Sequence, residues 1–125
     1  MIEGRLPRVL VVEDEFLIRL TLTEALNGEG FTVIEADTAD SALPLLRADD
    51  PFDLLVTDIQ LPGALDGYGL VHAIRQDRPT LPVIFMTGRP DPGQSFGSAL
   101  EVFIAKPYTL DEICTVAKRL IRAPD

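Results

Sequence analysis

The sequence is poor in several features, and each shortage excludes a class. It contains one cysteine, Cys114, so no intramolecular disulfide can staple the fold, and that residue reads as a small apolar side chain. No apolar run approaches the about twenty residues needed to cross a bilayer. No charged-then-apolar leader opens the chain, so neither a membrane span nor secretion is indicated and a cytoplasmic protein is expected. Basic residues are scarce: 11 Lys and Arg against 20 Asp and Glu leave a net charge of -9. That balance opposes non-specific attraction to nucleic acid, and no nucleic-acid binding by this chain alone is expected.

What remains fits one domain. A length of 125 residues with 46% hydrophobic content is enough for a real core and leaves no room for a second domain. Met1-Ile2-Glu3-Gly4-Arg5 contains a protease recognition tetrapeptide of the kind often placed in expression vectors, so residues 1–5 are expected to stand outside a domain occupying residues 6–125.

Short apolar runs alternate with amphipathic segments. Strands are expected at Arg8–Val12, Phe31–Ala36, Phe52–Thr57, Leu81–Met86 and Val102–Ala105. Helices are expected at Glu15–Asn27, where Gly28 and Gly30 end the pattern, at Thr38–Ala48 with Thr38 as cap, and at Gly67–Arg75. Pro44 removes a hydrogen bond from the second helix, which predicts a kink or a late start. Near the C-terminus Thr109-Leu110-Asp111-Glu112 forms a capping box, and Leu110, Ile113, Val116, Ala117 and Leu120 give the last helix one apolar stripe. Strand and helix in strict alternation imply an α/β doubly wound parallel sheet with helices on both faces.

The chemistry gathers at the strand ends. VLVVED, LLVTD, FMTG and FIAKP place Glu13, Asp14, Asp58, Thr87 and Lys106 at the carboxyl edge of such a sheet, where open α/β folds build their sites. Three carboxylates at close quarters repel one another and raise each other's pKa unless a cation such as Mg²⁺ compensates. A hydroxyl and an ammonium beside them suit a phosphoryl group.

In the order and placement of these motifs the chain resembles the CheY-like receiver domains of bacterial response regulators from Leu6 to Arg122. The resemblance implies a flavodoxin-like fold with strand order 2-1-3-4-5. It implies phosphorylation of one aspartate by a histidine kinase or phosphotransfer protein in a two-component system. Residue by residue, Glu13 and Asp14 fall on the family's acidic pair, Asp58 on the phosphoacceptor, Thr87 on the switch hydroxyl, Lys106 on the lysine before proline and Phe103 on the aromatic switch position. The metal set implied is Asp14, Asp58, Glu13 through water, and the backbone carbonyl of Gln60. Such a domain catalyses its own phosphorylation and dephosphorylation and is not otherwise an enzyme.

Two departures stand out. The loop Leu61–Gly67 is one residue longer than the usual proline-to-glycine spacing. Gly88–Gly97, with two prolines and three glycines, replaces a regular fourth helix, which is expected to be short, displaced or disordered. That segment belongs to the surface through which the family forms homodimers or meets effectors, so the downstream partner and any dimer are left open. Phe-x-Thr-Gly at strand 4 is similar to a subgroup of often single-domain receivers. Phe16, Leu17 and Leu20 on the first helix either dock a histidine kinase or extend core packing, with Phe16 and Leu20 as the candidate contacts. His72 on the third helix is read as a surface or half-buried residue and left out of the site.

Three other functions share part of this pattern. A haloacid dehalogenase-type phosphohydrolase needs an aspartate where Gln60 stands. A flavodoxin-type cofactor binder needs a phosphate loop where Glu15-Phe16-Leu17 stands. An unphosphorylated pseudo-receiver acting as an interaction module shares the fold but would not need all five site residues.

Overall fold

A computed structural model describes residues 5–88 and 100–122 of the chain. Along them run β1 (Arg8–Val12), α1 (Phe16–Gly28), β2 (Thr32–Ala36), α2 (Ala39–Arg47), β3 (Leu54–Asp58), α3 (Gly67–Ile74), β4 (Val83–Thr87), β5 (Glu101–Ala105) and α4 (Leu110–Arg122). The five strands form one sheet in the order β2-β1-β3-β4-β5, and every neighbouring pair is parallel. This is the doubly wound, flavodoxin-like arrangement expected from the sequence.

The sheet is covered on both faces because its inner strands carry no polar alternation. Leu10, Val12, Leu55, Val83 and Phe85 point to one side, against Ala39, Ala42 and Leu46 of α2 and Leu70, Val71 and Ile74 of α3. Val9, Val11, Leu54, Val56, Ile84 and Met86 point to the other, against Leu22 and Leu26 of α1 and Ile113, Ala117 and Leu120 of α4. Full burial of an aliphatic side chain stabilises by about 1.5–3 kcal/mol, so these two layers dominate the folding energy. Cys114 lies in the second layer as a free buried thiol.

Local chemistry sets the element ends. Thr38 caps α2 by accepting from the Ser41 amide, and Asp66 caps α3 by accepting from the Gly69 amide at 2.8 Å. Thr109 and Glu112 exchange reciprocal hydrogen bonds across the start of α4, the capping box read in the sequence. α1 runs through Gly28, which it takes as its last residue, and Gly30 then turns the chain with φ of 96°.

Pro44 does not delay α2, which starts directly after its cap. The proline lies on the exposed side, and the carbonyl it leaves without an intrahelical partner belongs to Asp40, an exposed residue open to water. β3 and β4 begin and end later than expected, at Leu54–Asp58 and Val83–Thr87. Parallel pairing carries Asp58 opposite Met86 and Thr87 opposite Ala105, so both residues stand inside the ladder. The irregular fourth helix is expected at Gly88–Gly97, and all of that segment after Gly88 lies outside the described residues. No described helix is long and apolar enough to cross a membrane.

Candidate functional site

Each residue singled out at a strand end lies at the carboxyl edge of the sheet. Asp58 ends β3 and Thr87 ends β4, 6% and 5% exposed; Glu13 follows β1 and is 1% exposed, while Asp14 beside it is open to solvent. One carboxylate oxygen from each of Glu13, Asp14 and Asp58 lies within 4.8 Å of the others. Beyond β5, the Lys106 ammonium donates to Asp58 Oδ2 at 2.6 Å, and the Lys106 amide donates to the Thr87 carbonyl at 2.7 Å. The Lys106–Pro107 peptide is cis.

Burial, more than the neighbouring charges, shifts two groups of the site. Glu13 is raised from 4.5 to about 7, first by burial and then by the nearby Asp58 and Asp14, while the Glu15 amide and Lys106 pull it down. One of its oxygens accepts from the Glu15 amide at 3.0 Å, and the other, Oε1, is buried with no hydrogen-bond partner. Tyr108 is pushed up to about 12 by burial and by the charges of Glu13 and Asp58. One ammonium thus faces three carboxylates. An orphaned buried carboxylate oxygen within an all-oxygen cluster is the donor chemistry of a hard divalent cation, and these residues fit Mg²⁺.

Asp58 is held from behind. Its carbonyl accepts from the Thr57 hydroxyl at 2.9 Å. The Gly67 amide donates to the Ile59 carbonyl at 2.8 Å, so α3 begins directly against the end of β3. A Cβ at Gly67 would lie 2.3 Å from the Asp58 carbonyl oxygen, which is why glycine stands there. The long loop before it is anchored by Asp40 of α2, whose Oδ2 accepts from the Ala64 amide at 3.1 Å, next to Gly63 with φ of 103°.

The other expected residues are placed as follows. Gln60 lies exposed on the loop after Asp58. Phe103 is half-buried and stacks on Phe85 with ring centroids 5.0 Å apart, and Tyr68 packs against both rings. On α1, Phe16 and Leu17 are exposed and Leu20 is half-buried. His72 is exposed, as read. The sequence reading missed Tyr108, for which an aromatic just past Lys106-Pro107 was the available signal. It also missed Arg19, which donates to the Glu13 carbonyl and pairs with Glu35, contacts that no motif announces.

Comparison with known proteins agrees on the family. A family model described as "Response regulator receiver domain" matches residues 9–118. The DNA-binding transcriptional regulator NtrC of Salmonella typhimurium is 34% identical over 116 residues, which are 90% of this chain and 24% of that protein. The probable transcriptional regulatory protein TcrX of Mycobacterium tuberculosis is 28% identical over 123 residues, 96% of this chain and 52% of that protein. The chain therefore spans about a quarter to half of these curated relatives. Among solved structures, a CheY-like response regulator receiver domain protein from Methanospirillum hungatei superposes with a TM-score of 0.83 at 27% identity, covering 94% of each chain.

Proposed function

Because this chain belongs to the response regulator receiver domain family, we propose that it accepts a phosphoryl group on Asp58 from the phosphohistidine of a histidine kinase or phosphotransfer protein and signals by changing conformation. The observation that carries the reading is the Lys106 ammonium 2.6 Å from Asp58 Oδ2, beside three carboxylates that share one small volume.

A carboxylate oxygen of Asp58 attacks phosphorus; the new O–P bond forms as the N–P bond of the donor breaks, and the electron pair leaves with the imidazole. Glu13, Asp14 and Asp58, with the backbone carbonyl of Gln60, would hold Mg²⁺, which when bound neutralises charge on the transferred oxygens. Lys106 steadies Asp58 before transfer and pairs with a phosphoryl oxygen after it. Thr87, at the end of the adjacent strand, supplies its hydroxyl to another phosphoryl oxygen. Thr87 on β4 and Phe103 on the adjacent β5 are the switch residues through which that contact alters the fold. Burial of Asp58 and Thr87 supports this, since the reacting oxygens are then shielded from bulk water.

The exposed apolar start of α1 is the docking face for the kinase helices. Polar replacement of Phe16 and Leu20 is expected to slow phosphotransfer from a kinase more than phosphorylation by a small phosphodonor; equal slowing of both would refute the docking role. The receiver chemistry itself is tested by intact mass after incubation with acetyl phosphate and Mg²⁺. One added phosphate is expected, absent in Asp58→Asn and after chelation. No adduct, together with no Mg²⁺ binding, would support a pseudo-receiver acting as an interaction module.

A further inference from the structure

Arg19 lies in the second turn of α1 and touches none of the reacting groups, yet its guanidinium is tied to the site at one informative point. NH1 donates to the carbonyl oxygen of Glu13 at 2.7 Å. That carbonyl belongs to the peptide joining Glu13 to Asp14, so a bond to it fixes the plane between the two consecutive acidic residues. On its other edge Nε donates to Glu35 Oε1 at 3.0 Å, and Glu35 lies on β2, opposite Val11 of β1. The guanidinium carbon stands 5.6 Å from the Phe16 ring centroid, and the side chain is only 15% exposed. A planar fork anchored on the adjacent strand therefore holds the turn that leaves β1.

The consequence is geometric. The Glu13 amide is fixed to the Ala36 carbonyl at 3.1 Å and its own carbonyl to Arg19, so both peptide planes flanking Glu13 are pinned to β2. The Glu13 carboxylate is then directed inward, with one buried oxygen left unpartnered, while Asp14 follows on a turn of set orientation.

We propose that Arg19 is a positioning residue for the cation site, which presets the carboxylates of Glu13 and Asp14 around Asp58 by holding the carbonyl between them. This rests on the functional reading above and adds a residue to it. The sign of its effect separates it from simple electrostatics. Arg19 is a cation near a cation site, so by charge alone its loss should tighten Mg²⁺ binding. As a positioning group its loss weakens binding, by about 10-fold for outer groups that orient metal ligands.

The test is calorimetric titration of the full chain with Mg²⁺, with thermal unfolding followed in parallel, for wild type, Arg19→Gln and Arg19→Lys. The glutamine variant is expected to bind about 10-fold more weakly. The lysine variant keeps the charge but not the fork, and is expected to bind at least about threefold more weakly, because one ammonium cannot reproduce the two-edged contact. Unchanged or tighter binding by the glutamine variant, or full affinity in the lysine variant, overturns the proposal. Amide exchange of the metal-free proteins gives an independent readout. Exchange at Glu13 and Glu15, whose amides are bonded to the Ala36 carbonyl and the Glu13 carboxylate, is expected to accelerate in both variants with β3 unaffected, and unchanged exchange there overturns the proposal even if metal binding falls. A wild-type protein that fails to bind Mg²⁺ contradicts the functional reading instead, and the exchange comparison still decides the role of Arg19.

Discussion

Replacement of Gly67 by alanine tests whether the start of α3 sets the position of Asp58. The added Cβ would lie 2.3 Å from the Asp58 carbonyl oxygen, 2.9 Å from Ile59 Cα and 3.1 Å from the Asp58 carbonyl carbon, all main-chain atoms at the end of β3. Even a close C···O contact needs about 3.3 Å, so helix and strand must separate by roughly 1 Å. Overpacking of this kind costs about 1–3 kcal/mol, against at most about 1 kcal/mol gained from helix propensity. A net loss of about 1–2 kcal/mol is expected, lowering the melting temperature by roughly 3–10 °C. The functional effect should be larger than the thermal one, because a misplacement near 1 Å costs about 100-fold in rate; at least 10-fold slower phosphorylation by acetyl phosphate is expected. Gly69→Ala is the control, since its Cβ meets only the side chains of Leu65 and Asp66, at 3.1 and 3.4 Å. Urea denaturation and intact-mass time courses read both effects. Wild-type stability and rate in Gly67→Ala would refute the account of the α3–β3 contact.

Three further outcomes follow from the same geometry. Glu13 is raised from 4.5 to about 7 by burial and by Asp58 and Asp14; it is protonated in both states below about 4.5, whereas between 4.5 and 7 only the unfolded state ionises. Metal-free stability should therefore fall as pH rises across that window, by up to about 3 kcal/mol, and the difference between wild type and Glu13→Gln in urea titrations should show that slope; a flat difference refutes it. Lys106→Met removes the ammonium from Asp58 while keeping an apolar stem, and should slow phosphorylation by about 10- to 100-fold while tightening Mg²⁺ binding, so weaker Mg²⁺ binding would contradict the charge balance described. Phe103→Ala loses a half-buried ring stacked on Phe85 and should cost about 2 kcal/mol yet leave the acetyl phosphate rate within about twofold, because the ring packs below the reacting groups; a large loss of rate would place Phe103 in the chemistry.

Much of this architecture was legible because it rests on local regularities. Apolar runs of parallel-strand length and two capping patterns, Thr38 and Thr109–Glu112, marked most elements to within two residues. The strand ends were displaced where burial and pairing part company: Phe52 is buried without belonging to β3, and its neighbour Asp53 accepts from the Arg8 amide at 2.8 Å. Asp58 and Thr87 look like residues after a strand because they are polar, yet the ladder includes them. Of the two outcomes expected at Pro44, the late start is absent because Thr38 caps the helix directly ahead of Ala39 and the proline faces solvent. The cluster of acids and lysine was readable, since its members end three apolar runs, Glu13 and Asp14 sharing the first. The devices that hold the cluster were not: Arg19 on the Glu13 carbonyl, Asp40 on the long loop and Gly67 against β3 join separate elements through backbone groups, which carry no residue signature.

The central claim is that the Asp58 carboxylate carries the phosphoryl group, and the most direct test is to locate the adduct. Protein phosphorylated with acetyl phosphate and Mg²⁺ would be reduced with borohydride, which converts an acyl phosphate to homoserine, then digested and sequenced by tandem mass spectrometry. The account predicts homoserine at position 58 alone, and none in Asp58→Asn. Homoserine at Asp14 or another acidic residue, or an adduct that survives in Asp58→Asn, would contradict it.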